Sequence, residues 1–185
     1  RMNQNGYAVL SFDGRGFVES VKKADGSEVK VDLEKGIDPK LLLSDANSAV
    51  EFLSKQPNVD ADKIGVVGAS YGSSVAIMYA ADHPKIAAVV LLSPGVNYFD
   101  NLPTIPAIKK YGSRPILLVA AEDDKDSALD VPKLKEESGN PNAEMMVYPA
   151  GGHGTELFAY TNQKDKAFQP LADLMQKFLD KALKG

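Results

Sequence analysis

Seven consecutive apolar residues, Ile86–Leu92, form the longest purely aliphatic run in the chain. A strand with one solvated face alternates apolar and polar positions, so a run with no polar position demands cover on both of its faces. Ile64–Gly68 is nearly as continuous, and Tyr7–Phe12, Ile116–Ala121 and Ala143–Tyr148 are further strand-like runs rich in β-branched or aliphatic residues. Helix-like amphipathic segments separate most of them. That alternation predicts an α/β fold, a mostly parallel sheet with crossover helices on both faces.

Asp38-Pro39 is a helix start, with a capping carboxylate followed by a proline in the first turn. Leu42, Ala46, Ala49, Val50 and Leu53 then recur at helical spacing, and the helix is expected to end near Gln56-Pro57. Phe168, Leu171, Leu174, Met175, Phe178 and Ala182 make a second such stripe, read as core-facing. Between Gly14 and Asp38 the pattern is polar and broken by Gly26 and Gly36, which predicts an irregular excursion with a short hairpin around Ala24-Asp25-Gly26-Ser27.

The 185 residues, 44% hydrophobic, suffice for one core and fall within the size of a single domain, residues 1–185. The net charge is −4 and no Lys/Arg-rich block attracts phosphates, so nucleic acid is not an expected partner. With no cysteine, the chain has no disulfide framework, thiolate metal site or cysteine nucleophile. Two separated histidines and scattered carboxylates give no metal-ligand spacing. No run approaches the roughly 20 apolar residues of a membrane span, so a soluble chain is expected, its compartment left open.

The sharpest chemical signal is Gly68-Ala69-Ser70-Tyr71-Gly72, directly after the strand-like Lys63–Val67 and directly before the helix-like Ser73–Ala80. A strand, a tight strained turn and a helix would expose the Ser70 hydroxyl at a helix N-terminus, with flanking glycines avoiding collisions. The Tyr71 N–H would then face a developing oxyanion. Gly65, Gly68 and Gly72 only superficially suggest a dinucleotide loop, because Gly65 lies inside the strand and the next strand ends in Leu92-Ser93-Pro94 with no acid to hold a ribose.

At these residues the sequence resembles the α/β-hydrolase superfamily, in particular its compact members similar to dienelactone-hydrolase-like and carboxylesterase-like proteins. Phe12-Asp13-Gly14-Arg15-Gly16 resembles the loop after that family's fourth strand, and Val59–Ile64 the approach to its fifth. The dienelactone enzymes use cysteine where this chain has Ser70, a departure that points toward ester hydrolysis. Asp13 and Arg15 are read as a structural ion pair or turn rather than as catalytic groups.

A serine hydroxyl needs a base, and histidine suits the task near neutral pH. His83 lies a helix length from Ser70, about 18 Å at ~1.5 Å per residue, and is read as a surface residue near a helix C-terminus. His153, in Ala150-Gly151-Gly152-His153-Gly154 after the last predicted strand, stands where the family carries its catalytic histidine. The acid should follow the strand Ile116–Ala121; counting as the family does from Ala121 selects Asp124, with Asp123 as its rival. Serine, acid, histidine is the expected chain order.

The resemblance therefore implies a serine hydrolase acting on a small acyl substrate through an acyl-enzyme on Ser70, without a cofactor. Ester, thioester and peptide bonds stay open in that order, as does a non-catalytic binding protein on the same fold. Fewer than about twenty residues separate Pro94 from the next strand, too few for a large helical cap, so an exposed pocket is expected with Tyr98, Phe99 and Leu157 as wall residues beside Tyr71. If Tyr7–Asp13 is the fourth strand, Arg1–Gly6 are too few for the third strand and the loop that donates the second oxyanion N–H. The reading is a hydrolase lacking its N-terminal strands; the alternatives are a strand from another chain, or direct pairing of Tyr7–Phe12 with Ile64–Gly68.

Overall fold

The computed structural model describes residues 2–23, 25–29, 38–162 and 169–185. After a single 3-10 turn at Asn3–Asn5, the elements are α1 (Pro39–Ser54), β1 (Ile64–Ala69), α2 (Tyr71–Asp82), β2 (Ile86–Leu92), β3 (Asn97–Tyr98), β4 (Leu102–Pro103) and α3 (Thr104–Tyr111). The chain continues through β5 (Ile116–Ala121), α4 (Lys125–Ser138), β6 (Ala143–Tyr148), α5 (Glu156–Thr161) and α6 (Leu171–Leu183). Strands β1, β2, β5 and β6 form one sheet in the order β1-β2-β5-β6, with every neighbouring pair parallel. β3 and β4 form a separate antiparallel ribbon.

The continuous apolar runs are explained by what lies on either side of them. Val89, Leu91, Ile116, Leu118 and Ala120 pack with residues of α1, α2, α3 and α4, among them Ala46, Ile77, Ile108 and Leu134. Ala88, Val90, Leu92, Leu117, Val119 and Ala121 pack on the opposite face with Leu157 of α5 and with Leu171, Met175 and Phe178 of α6. Both faces of β2 and β5 are therefore core, and full burial of each such aliphatic side chain is worth about 1.5–3 kcal/mol.

At the start of α1 the Asp38 carboxylate accepts the Lys40 N–H at 2.9 Å and Pro39 occupies the first turn, as the sequence predicts. Lys22 and Glu28 form an antiparallel bridge around the expected hairpin, while Ala24, Gly36 and Phe168 lie outside the described residues.

Tyr7–Phe12 does not form the expected strand. β1 pairs only with β2 among the described residues, so direct pairing of Tyr7–Phe12 with Ile64–Gly68 is not what occurs. The segment is anchored elsewhere: Tyr7 donates its hydroxyl to Asp180 on α6 at 2.8 Å, Lys184 lies 4.2 Å above the Tyr7 ring, and Asn5 donates to Gln176 at 3.1 Å. A cavity of about 670 Å³ opens between it and β1, lined by Val9, Phe12, Ile64 and Val67. A second, of about 340 Å³, lies between Phe12, β1, α1 and α2. Phe12 and Val67 are 50% and 46% exposed along this gap.

Arg15 is a structural ion pair, but not with Asp13. Its guanidinium meets both carboxylate oxygens of Asp45 on α1, with Nε at 2.9 and 3.0 Å and Nη2 at 2.5 Å. Asp13 instead accepts the Glu19 N–H.

Parallel strands bring their C-terminal ends to one edge, the usual location of an α/β site. β1 delivers Ser70 there, β2 delivers Ser93, β5 delivers Asp123 and Asp124, and the loop after β6 delivers His153.

Candidate active site

Ser70 joins β1 to α2 with φ 54° and ψ −134°, a strained conformation for a residue with a side chain. Gly68 makes the turn possible: a Cβ there would lie 2.1 Å from the Gly72 carbonyl oxygen. Gly72 itself has open space where its Cβ would point, so only the first of the two flanking glycines is required by close approach. Tyr71 is the first residue of α2, and its N–H has no intrahelical acceptor.

The three side chains singled out in the sequence come together. His153 Nε2 lies 2.8 Å from Ser70 Oγ, and His153 Nδ1 lies 2.9 Å from Asp124 Oδ2. The imidazole is 45% exposed and the Asp124 side chain 11%, so the acid is the more buried of the two and the ring faces solvent. With Asp124 accepting from Nδ1–H, Nε2 is left with its lone pair toward the serine hydroxyl.

Asp123, the rival acid, turns the other way. Its carboxylate accepts the Gly151 N–H at 3.1 Å and the Gly152 N–H at 3.0 Å. These backbone donors, the Gly151 N–H foremost, hold its carboxyl below the usual range. His83 is remote from this chemistry, capping the C-terminus of α2 and stacked 3.8 Å above Tyr79.

Aromatic rings border the serine. The Tyr71 ring lies 6.2 Å from Phe17 and 5.8 Å from Phe99, which is itself 38% exposed. Tyr98 donates its hydroxyl to the Ser93 carbonyl at 2.7 Å, and burial raises its phenol above the ordinary value. Leu157 is not a wall residue: it is fully buried in the core under Gly151, where a side chain in place of that glycine would collide with it. An apolar residue in the first turn of a helix that packs on the sheet is drawn inward, and its proximity to His153 in sequence does not change that.

Ser93 and Glu156 also hold this site together, though no motif marks them. Ser93 is fully buried with φ 47°, and its Oγ accepts the Gly154 N–H at 2.7 Å; Glu156 accepts the His153 N–H at 2.9 Å. Their one signal is position, Ser93 at the end of a central strand and Glu156 three residues after His153. No group of three or more His, Asp and Glu side chains among the described residues is placed to hold a metal ion. No described helix is long and apolar enough to cross a membrane.

The model of the dienelactone hydrolase family matches residues 1–180. An uncharacterized protein of Mycobacterium tuberculosis is 29% identical over 169 residues, covering 82% of this chain and 55% of its own length. A polyketide transferase of Penicillium crustosum is 34% identical over 102 residues, and a thiohydrolase of Aspergillus aculeatus 31% over 91, covering 55% and 49% of this chain. The chain thus spans only 55%, 30% and 26% of these relatives' own lengths. Among solved structures, an esterase of Pyrococcus furiosus superposes with a TM-score of 0.73 at 20% identity, covering 98% of this chain and 74% of that one. A dienelactone hydrolase of Anabaena variabilis gives 0.55 at 20% identity over 78% and 58%. At such identities the superpositions speak for the fold, which is that of the α/β-hydrolases.

Proposed function

The chain belongs to the dienelactone hydrolase family, and on that premise we propose that it is a serine hydrolase cleaving a carboxylic ester of a small substrate through an acyl-enzyme on Ser70. The observation that carries this reading is the relay of two hydrogen bonds, Ser70 Oγ to His153 Nε2 at 2.8 Å and His153 Nδ1 to Asp124 at 2.9 Å.

The chemistry follows from that geometry. As Ser70 Oγ attacks the substrate carbonyl, its proton passes to Nε2, and Asp124 stabilises the resulting imidazolium across Nδ1–H. The carbonyl oxygen gains negative charge beside the Tyr71 N–H at the start of α2; removing one such donor typically costs about 10²–10³ in rate. The tetrahedral adduct collapses, the C–O bond to the alcohol breaks, and His153 returns its proton to the leaving oxygen. Water, deprotonated by the same Nε2, then attacks the acyl-enzyme and regenerates Ser70. The exposed imidazole and the Tyr71–Phe99 border suit a small, partly apolar acyl group.

Labelling with a fluorophosphonate probe tests the nucleophile. Adduct mass on the Ser70 peptide, lost in Ser70→Ala, is the expected result; an unlabelled native chain, or labelling that survives Ser70→Ala, overturns the reading. A second reading, thioester hydrolysis, is favoured by the relative named as a thiohydrolase. Comparing kcat/KM for a p-nitrophenyl ester with that for an acyl thioester of the same chain length separates the two.

A further inference from the structure

Four consecutive backbone N–H groups, those of Gly151, Gly152, His153 and Gly154, are each accepted by a side-chain oxygen. Asp123 takes the first two, at 3.1 and 3.0 Å, Glu156 the third at 2.9 Å, and Ser93 the fourth at 2.7 Å. The acceptors come from three places in the fold: the end of β5, the first turn of α5 and the end of β2. Such a convergence has a specific physical use. A segment with glycine at three of four positions has wide conformational freedom and cannot by itself hold an imidazole between two partners. Gly152 takes φ 70°, a left-handed conformation that glycine adopts without strain.

We propose that Asp123 is a positioning residue for His153, acting through the backbone of Gly151 and Gly152, with Ser93 fixing the far side of the same loop. The adjacent pair Asp123-Asp124 then grips one loop at two levels, backbone and ring. Asp123 is suited to this because one carboxylate can accept two neighbouring N–H groups at once. Ser93 is suited because it is immobile: its N–H donates to Val119 O, its carbonyl accepts from Tyr98, and its Oγ accepts from Gly154. Its φ of 47° is one that residues other than glycine seldom adopt, and it aims the buried hydroxyl at the loop.

This proposal rests on the Ser70–His153–Asp124 reading, and its test keeps the two apart. Fluorophosphonate labelling of the native chain judges the triad alone. For Asp123→Ala, NMR should show the Gly151 and Gly152 amides exchanging at least about tenfold faster, and the His153 Nδ1–H resonance broadened as the ring loosens from Asp124. Neither readout needs turnover. On a p-nitrophenyl ester, kcat should fall about 10–100-fold with KM within about twofold, because a misplaced base harms the chemical step rather than ground-state binding. Asp123→Asn, which keeps one acceptor oxygen, should lie between native and Ala. Ser93→Ala should quicken exchange at Gly154 and lower kcat in the same sense, and it carries the test if Asp123→Ala does not fold. Unchanged amide exchange and an unaltered Nδ1–H signal in Asp123→Ala would overturn the proposal, as would faster exchange with native kcat.

Discussion

Ser70 and Gly68 are a pair in which one residue's strain depends on the other's lack of a side chain. A methyl group at Gly68 would sit 2.1 Å from the Gly72 oxygen and 2.9 Å from Ala76 Cβ, and neither backbone nor helix can yield cheaply. Gly68→Ala should therefore cost about 3 kcal/mol or more, read as a lower urea midpoint at unchanged m-value, and should also abolish labelling of Ser70 as the turn opens. The proposed triad makes a different kind of prediction. Ser70→Ala and His153→Ala should each remove most turnover and combine with little further loss, since a base without a nucleophile has nothing to act on. Multiplicative losses would contradict a shared step. His83→Ala should leave kcat near native, as its ring serves Tyr79 and the end of α2. Much of this site is legible from residue types: Ser70 sits in a strand–turn–helix context, and only two histidines compete for the role of base. The grip on the histidine loop is not legible, because its donors are backbone N–H groups, which every sequence offers everywhere.

The elements show where local pattern stops informing. β1, β2, β5 and β6 are legible because a strand buried on both faces must be apolar along its length, a property of the strand itself. Tyr7–Phe12 has much the same composition, yet remains irregular. A strand also needs a ladder partner, and whether one lies alongside is a tertiary fact that the segment does not encode. Arg15 repeats the lesson, since its partner Asp45 lies thirty residues away on α1 rather than two residues away at Asp13. Arg114 is a further long-range device. Its guanidinium donates to the carbonyls of Ala80, His83 and Ile86 and lies 4.0 Å from the Tyr111 ring centre, tying the C-terminus of α2 to the starts of β2 and β5. Arg114→Met keeps much of the apolar stem but strands those carbonyls, and should lower stability by about 1–3 kcal/mol. Faster amide exchange confined to the last turn of α2 and the start of β2 would accompany it. A midpoint within error of native would mean that water replaces the guanidinium without loss.

Across the whole molecule the two faces of the sheet carry matched probes. Tyr111 belongs to the core between the sheet and α1–α4, Tyr148 to the core beneath α5 and α6. Burial pushes each phenol up to about 12. Each hydroxyl donates to a backbone carbonyl, Tyr111 to Pro115 and Tyr148 to Gln169, both at 2.9 Å, a bond that the phenolate could not make. The sign of the linkage is fixed by these raised values. Below the ordinary phenol value near 10, both folded and unfolded chains hold these protons and the contribution to stability is complete. Between about 10 and 12 the unfolded chain releases them while the native chain retains them, so stability falls as pH rises through that window. Because β2 and β5 contribute side chains to both cores, the two faces should give way together. Phenolate absorbance and far-ultraviolet circular dichroism should therefore show Tyr111 and Tyr148 ionising in the same alkaline transition in which helix and sheet are lost. Single Tyr→Phe variants assign each signal; ionisation of either tyrosine near pH 10 with the dichroism intact would show that its core opens independently of the other.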